Sequence, residues 1–290
     1  MAISFKAPCV KLENIENLWL QLSKVACNLK CKHCYLDCHQ DTRKRNFLNM
    51  DIIIKTLKTP PTELKRIYLT GGEPFLYPKI NDVIKYSLTK ADVTICTNGT
   101  LFNEKKAKIL KEIEKSTPHK LSFKISLDHY MVGRNDEYRG QGVFKKVLNA
   151  LKVARKYNFE CYVTCVNLKN EDEYVIKKGF ETLFANQGLD IPISNLKVVP
   201  LLKIGNYAKY YNITDNSQSV SFEDLDNFDI NNLDCKTSRV ITNDGVYSCP
   251  ALVNDPRGRL GESISDASDS VYLETQTCYE CVKRHDNLFC

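Results

Sequence analysis

Between residues 17 and 200 the chain alternates two rhythms of apolar and polar positions. Short runs rich in β-branched and aromatic residues, "LWLQLS" (18–23), "RIYLT" (66–70), "VTICTN" (93–98), "LSFKISLD" (121–128), "CYVTCVN" (161–167) and "LKVVP" (196–200), have the length of strands. Between them, near 50–58, 78–89, 103–115, 142–157 and 171–186, apolar residues recur at helical spacing. This alternation predicts repeated βα units around a parallel sheet. Parallel strands joined this way have right-handed crossovers, and the ligand site of such a sheet lies at the strands' carboxyl ends.

Beyond Pro200 the alternation stops. Residues 201–234 are rich in Asn, Asp, Ser and Tyr without a clear period and read as a linker or irregular lobe. "CKTSRVITNDGVYSC" (235–249) then reads as a β-hairpin, "RVIT" and "VYSC" joined by Asn243, Asp244 and Gly245, residue types that tolerate positive φ. Cysteines at both ends of it suggest a small metal-stapled module. The expected division is therefore 1–200, 201–234 and 235–290.

Composition narrows the class. With 290 residues and 43% apolar content the chain can bury a large core. The N-terminus lacks the apolar segment of a signal peptide and no long apolar run follows, so neither secretion nor a membrane span is expected and the chain reads as a soluble, cytoplasmic protein. In a reducing compartment thirteen cysteines, an odd number, point to metal ligation or catalysis rather than a disulfide framework. The net charge of +6 is spread along the sequence, with one compact basic run at 42–46; nucleic acid, which selects a concentrated basic face, is not an expected partner.

The densest chemistry is in "SKVACNLKCKHCYLDC" (23–38), where Cys27, Cys31 and Cys34 are spaced C-x3-C-x2-C. Three thiolates on so short a loop can wrap one face of an iron–sulfur cluster and leave one iron open. A structural zinc site wants four closed ligands, and Cys38 or His33 would supply the fourth. Both readings stand on spacing alone.

"CNLKCKHCY" after the first strand, followed by "LTGGEPFL", "TNGTL" and "ISLD" at later strand ends, resembles the radical SAM superfamily over roughly residues 17–200. The resemblance implies an α/β fold, a partial (β/α)6 TIM-like barrel. It implies a 4Fe-4S cluster on Cys27, Cys31 and Cys34 that chelates S-adenosylmethionine (SAM), and a flavodoxin- or ferredoxin-type reductant. Carried over residue by residue, it places Gly71, Gly72 and Glu73 at the methionine amino group, where Glu73 offers negative charge to an ammonium. Ser126 and Arg139 take the ribose and carboxylate, an arginine fork suiting a carboxylate. Asn98 and Val166, at strand ends, face the ribose and adenine, with His33 and Tyr35 beside the third cysteine as further adenine contacts. Read from the residues alone, "GGEP" is also a strand-to-helix turn with Pro74 opening the helix.

Cys235, Cys249, Cys278 and Cys281, spaced C-x13-C and C-x2-C, can close around one metal centre, and spacing does not separate zinc from iron–sulfur. Behind a radical SAM domain the pattern resembles a twitch domain, the short relative of the SPASM domain, carrying one auxiliary 4Fe-4S cluster. The resemblance thus implies two clusters, the second fully ligated by protein and suited to electron transfer or structural support. Of the remaining thiols, Cys161 and Cys165 read as small apolar fillers. Cys96 and Cys290 are candidate hydrogen-atom donors, as in an epimerase. Asp128, at a strand end, is a candidate base or a structural hydrogen-bonding group. His39, His119, His129 and His285 show no ligand spacing and are expected at the surface.

The expected function is hydrogen-atom abstraction by a radical SAM enzyme, in epimerisation or crosslinking of a ribosomally made peptide. The alternatives are dehydrogenation or epimerisation of a small-molecule carbinol such as an aminosugar, and a non-catalytic iron–sulfur or zinc protein. The "GGEP", "TNG" and "SLD" motifs argue against the last. The 26 residues ahead of Cys27 are too few for a leader-peptide-binding domain, which weighs against the peptide.

Overall fold

The computed structural model describes residues 7–36, 38, 46–213, 218–226, 228–267 and 270–283. Cys290, His39, His285 and most of the basic run at 42–46 lie outside the described residues. In chain order the elements are β1 (Cys9–Val10), β2 (Asn17–Gln21), α1 (Met50–Lys58), β3 (Arg66–Thr70), α2 (Ile80–Ser87), β4 (Asp92–Thr97), α3 (Glu104–Lys115), β5 (Leu121–Ser126), α4 (Val132–Arg139), α5 (Val143–Lys156), β6 (Glu160–Asn167), α6 (Glu173–Gln187), β7 (Leu196–Pro200), α7 (Gly205–Tyr210), β8 (Ser238–Thr242), β9 (Gly245–Tyr247), β10 (Arg259–Gly261), β11 (Val271–Tyr272) and α8 (Gln276–Lys283).

Nine strands form one sheet in the order β10-β9-β8-β2-β3-β4-β5-β6-β7, parallel from β8 through β7. The six strands read from the sequence are β2 to β7. The expected hairpin forms between β8 and β9, but it does not stand by itself: β8 pairs in parallel with β2, Val240 opposite Trp19, and the hairpin extends the main sheet. A second sheet joins β1 to β11, tying the two chain ends together.

The two faces of the sheet differ chemically. One carries Ile67, Leu69, Val93, Ile95, Phe123, Ile125 and Val163, all fully buried against apolar residues of the helices such as Leu57, Val83, Leu110, Val147 and Phe180. Each such side chain contributes about 1.5–3 kcal/mol by leaving water. Phe102, Phe123 and Phe159 pack in series across this layer, the first pair tilted and the second edge-to-face, with ring centroids 4.6 and 5.0 Å apart. The alternate residues, Thr70, Cys96, Lys124, Ser126 and Thr164, line a cleft on the other face. Parallel strands covered on both faces read as continuous apolar runs; the period-2 polarity here marks a face kept for something other than packing. Side-chain caps fix the helix starts: Asn49, Asn103 and Asp172 accept from the first turns of α1, α3 and α6. Among the described residues no helix is long and apolar enough to cross a membrane.

Candidate active site

The thiol loop leaves β2 at its carboxyl end. Ser23 Oγ accepts from the amides of Val25 and Ala26 at 3.2 and 2.9 Å, starting the turn. The turn after β3 then docks on it, Gly72 N donating to Ser23 O at 3.1 Å and Glu73 N to Ala26 O at 2.9 Å. A Cβ on Gly72 would stand 1.9 Å from the Ala26 carbonyl oxygen, a backbone atom with no rotamer to escape into. Gly72→Ala is therefore expected to cost about 1–3 kcal/mol and to displace the loop one residue before Cys27. Urea unfolding would read the first effect and the iron content of reconstituted protein the second; an unchanged iron content would show that this contact does not set the loop.

Cys27, Cys31 and Cys34 all face an open cleft of about 1170 Å³ of empty space, its mouth included. Burial pushes the Cys27 thiol up to about 11 and Cys31 up to about 12. Cys34 goes the other way, down to about 6, because the Cys38 thiol hydrogen-bonds to it. Cys27 Sγ accepts from Leu29 N at 3.4 Å and from Asn98 Nδ2 at 3.7 Å. Among the described residues no three His, Cys, Asp or Glu side chains gather tightly enough for a single metal ion. Of the candidate fourth zinc ligands, His33 is engaged with Asp128, while Cys38 bonds to Cys34 and to the Lys24 carbonyl. The loop fits a cluster better: soft thiol donors on one short loop, two of them protonated until a metal displaces the protons, open to a cleft on the far side.

His33, Tyr35, Gly71, Gly72, Cys96, Asn98, Ser126, Arg139 and Val166 line that same cleft, so nine further residues singled out in the sequence converge with the three thiols. Glu73 does not. Its carboxylate lies beneath the cleft, Oε1 accepting from Phe75 N at 3.1 Å and Thr97 Oγ1 at 2.8 Å and Oε2 from Asn98 N at 2.9 Å. It ties the end of β3 to the end of β4 and so aims Asn98; burial pushes its carboxyl up.

Asp128 is likewise committed internally. Arg139 holds it with a fork, Nε 2.5 Å from Oδ2 and Nη2 donating to Oδ1 at 3.0 Å, and His33 Nε2 lies 3.0 Å from Oδ2. Burial alone would push this carboxyl up; the charges of Arg139 and His33 and their hydrogen bonds outweigh it and hold the group well below the usual carboxylate range. Asp128 thereby sets the orientation of two side chains that reach the cleft. Cys96, on β4 in register with Lys124, is pushed up to about 11 by burial and remains a thiol at neutral pH. Cys161 and Cys165 are buried on the opposite face, as expected of fillers. His129, expected at the surface, is buried, its Nδ1 accepting from Met131 N at 2.9 Å.

Sequence reasoning missed Trp19, Lys124 and Thr164, which also line the cleft; for Lys124 and Thr164 the signal was present in the period-2 polarity of the strands. It also missed the grip of 201–213 on the thiol loop. Asn206 N donates to Cys34 O at 2.9 Å, Asn206 Nδ2 donates to Cys38 O at 3.0 Å, and Gly205, at φ +60°, brings its Cα so near that a Cβ would lie 2.2 Å from Tyr35 O.

The second thiol group also assembles. Cys235, Cys249, Cys278 and Cys281 pack into one apolar cluster with Leu252, Leu273 and Val282, and Cys249 feels the charges of the other three. Burial pushes Cys235 up to about 12 and Cys249 well above its ordinary value. Thr275 Oγ1 accepts from Cys278 N and donates to Cys278 Sγ, both at 3.2 Å, which starts α8 with the C-x2-C pair on its first turns. Four soft donors, Cys278 buried and the others half-buried, fit a metal centre that supplies the positive charge to ionise them. Tyr35 lies between the two groups, sharing one apolar cluster with Cys27, Cys34 and Cys96 and another with Cys249 and Cys281.

A parallel α/β sheet whose strand ends carry a three-thiol loop over an open cleft defines a cofactor-binding protein of the iron–sulfur kind. The chain belongs to the Radical SAM superfamily, whose family model matches residues 24–177, more than half of it. That membership implies SAM and one 4Fe-4S cluster. The chain is 28% identical over 196 residues to a GTP 3',8-cyclase of Clostridium perfringens, covering 65% of this chain and 56% of the cyclase. It is 31% identical over 133 residues to the antilisterial bacteriocin subtilosin biosynthesis protein AlbA of Bacillus subtilis, covering 44% of this chain and 28% of AlbA. It thus spans about half or less of the length of these curated relatives. Among solved structures, native anSMEcpe with bound AdoMet and Kp18Cys peptide shares the fold, with a TM-score of 0.60 at 20% identity, covering 88% of this chain and 80% of that one.

Proposed function

We propose that this chain is a peptide-modifying radical SAM enzyme acting on a ribosomally made peptide by epimerisation or crosslinking. The cluster and SAM, when bound, supply a 5'-deoxyadenosyl radical that removes a hydrogen atom from the substrate. Cys27, Cys31 and Cys34 hold the first cluster, and Cys235, Cys249, Cys278 and Cys281 hold an auxiliary 4Fe-4S cluster in a twitch-like segment. Gly71, Asn98, Ser126 and Val166 present backbone and short side chains to SAM, and Arg139, steadied by Asp128, offers its remaining N–H groups to the methionine carboxylate. Cys96, protonated at the floor of the cleft, is placed to return a hydrogen atom. A flavodoxin- or ferredoxin-type protein supplies the electron.

The observation that carries the reading is the convergence of all three loop thiols with these residues on one cleft. The peptide is supported by the likeness to AlbA and by the peptide bound in anSMEcpe. Anaerobically reconstituted protein is expected to hold about eight irons with matching sulfide and to form 5'-deoxyadenosine from SAM under dithionite. Bound zinc, or a cluster inert toward SAM, would refute the assignment.

A further inference from the structure

The largest fully buried side chain of the described residues is a cation. Arg239 lies on β8 opposite Leu18 of β2, on the apolar side of the sheet, and is 0% exposed. Its guanidinium donates from Nε to Ala267 O at 2.8 Å and from Nη1 to Cys235 O at 2.6 Å and Ser238 O at 2.7 Å. Burying a charge is costly unless an opposite charge or strong hydrogen bonds answer it, and here backbone carbonyls accept from it. The guanidinium is thus anchored on the backbone of one member of the second thiol group, Cys235. A leucine or methionine would fill the space without the desolvation cost, so the charge itself calls for an explanation.

We propose that Arg239 sets the reduction potential of the centre held by Cys235, Cys249, Cys278 and Cys281. This rests on the reading that those four thiols hold an iron–sulfur cluster. Reduction adds one negative charge to a centre that four thiolates already make anionic. A cation fixed nearby in a low-dielectric interior favours the more negative state, so the arginine raises the potential. It is a positioning residue that touches neither substrate nor the thiol-loop cleft.

The test is an anaerobic redox titration by electron paramagnetic resonance on the full chain carrying Cys27→Ala, Cys31→Ala and Cys34→Ala, so that only the second centre contributes. With Arg239→Met added, the ratio of reduced to oxidised centre at the parent's midpoint should fall about tenfold, a shift of about 59 mV for a one-electron couple. Arg239→Lys, which keeps the charge, should stay within about threefold of the parent, or about 30 mV by the same constant. A merely structural arginine would lower iron content in the Met variant and leave the potential of the remaining centres alone. If the Met variant does not fold, Arg239→Gln replaces it: a tenfold difference between Gln and Lys supports the inference, and equal potentials overturn it. An iron-loaded Met variant at the parent potential overturns the inference alone. A parent that binds zinc or no iron at the second group overturns the reading beneath it, and the inference falls with it.

Discussion

Replacing Cys27, Cys31 and Cys34 together by alanine is expected to reduce the iron of reconstituted protein from about eight to about four per chain and to abolish 5'-deoxyadenosine formation. The three thiols are half-buried at the rim of a cleft rather than in the core, so their loss removes little packing and the fold should persist by circular dichroism. The loop itself is held by other bonds: Ser23 with Val25 and Ala26, the Gly72 and Glu73 amides, and Asn206 on the carbonyls of Cys34 and Leu36. Cys38 loses its partner thiol but keeps the Lys24 carbonyl. The second group shares no ligand with the first and should keep its metal. Iron and sulfide assay with chromatography of the SAM products reads both outcomes. Residual 5'-deoxyadenosine from the triple variant would mean that the cofactor is cleaved elsewhere.

What could be read from the chain depended on how local its cause was. Strands β2 to β7 came through because β-branched runs bounded by turn residues are written in consecutive positions. Helix α4 did not: among its eight residues only Val132 and Tyr138 are strongly apolar, so no periodic stripe announces it, although it carries Asn135, Asp136 and Arg139. The thiol spacing and the strand-end motifs were legible because loop chemistry is local in the same way. Their partners were not. The carboxylate of Glu73 stands beside paired glycines in the sequence, and only the approach of β4 shows that Thr97 and Asn98 also donate to it. The parallel docking of β8 on β2 joins residues about 220 positions apart, and long-range pairing leaves no mark in a local pattern. Residues 201–213, irregular in sequence, are ordered by the backbone of the thiol loop, which supplies the acceptors that Asn206 needs.

The same limit applies to Asp128, and there the energetic consequence is largest. Asp128→Asn keeps the shape and removes the charge, leaving the buried Arg139 guanidinium without its carboxylate. Breaking one side of a buried pair costs about 3–5 kcal/mol, and that loss is expected at pH 7 in urea unfolding of the cluster-free, reduced chain. The sign of the pH dependence follows from the depressed carboxyl. The folded group ionises below the range of the unfolded one, so its contribution is complete above about 3.9 and is lost as pH falls from there toward the folded value. The gap between the parent and Asp128→Asn should therefore hold from pH 7 to about 5 and narrow by up to about 1.4 kcal/mol for each unit below 3.9. His33 shares Oδ2, so some of the cost belongs to it, and a double-mutant cycle separates the two. Asp128→Asn combined with Arg139→Gln should be less destabilised than the sum of the single variants, because the second change removes the charge that the first one stranded. Strict additivity would place the energy in the His33 contact instead, and a gap that widens below pH 4 would contradict the pairing altogether.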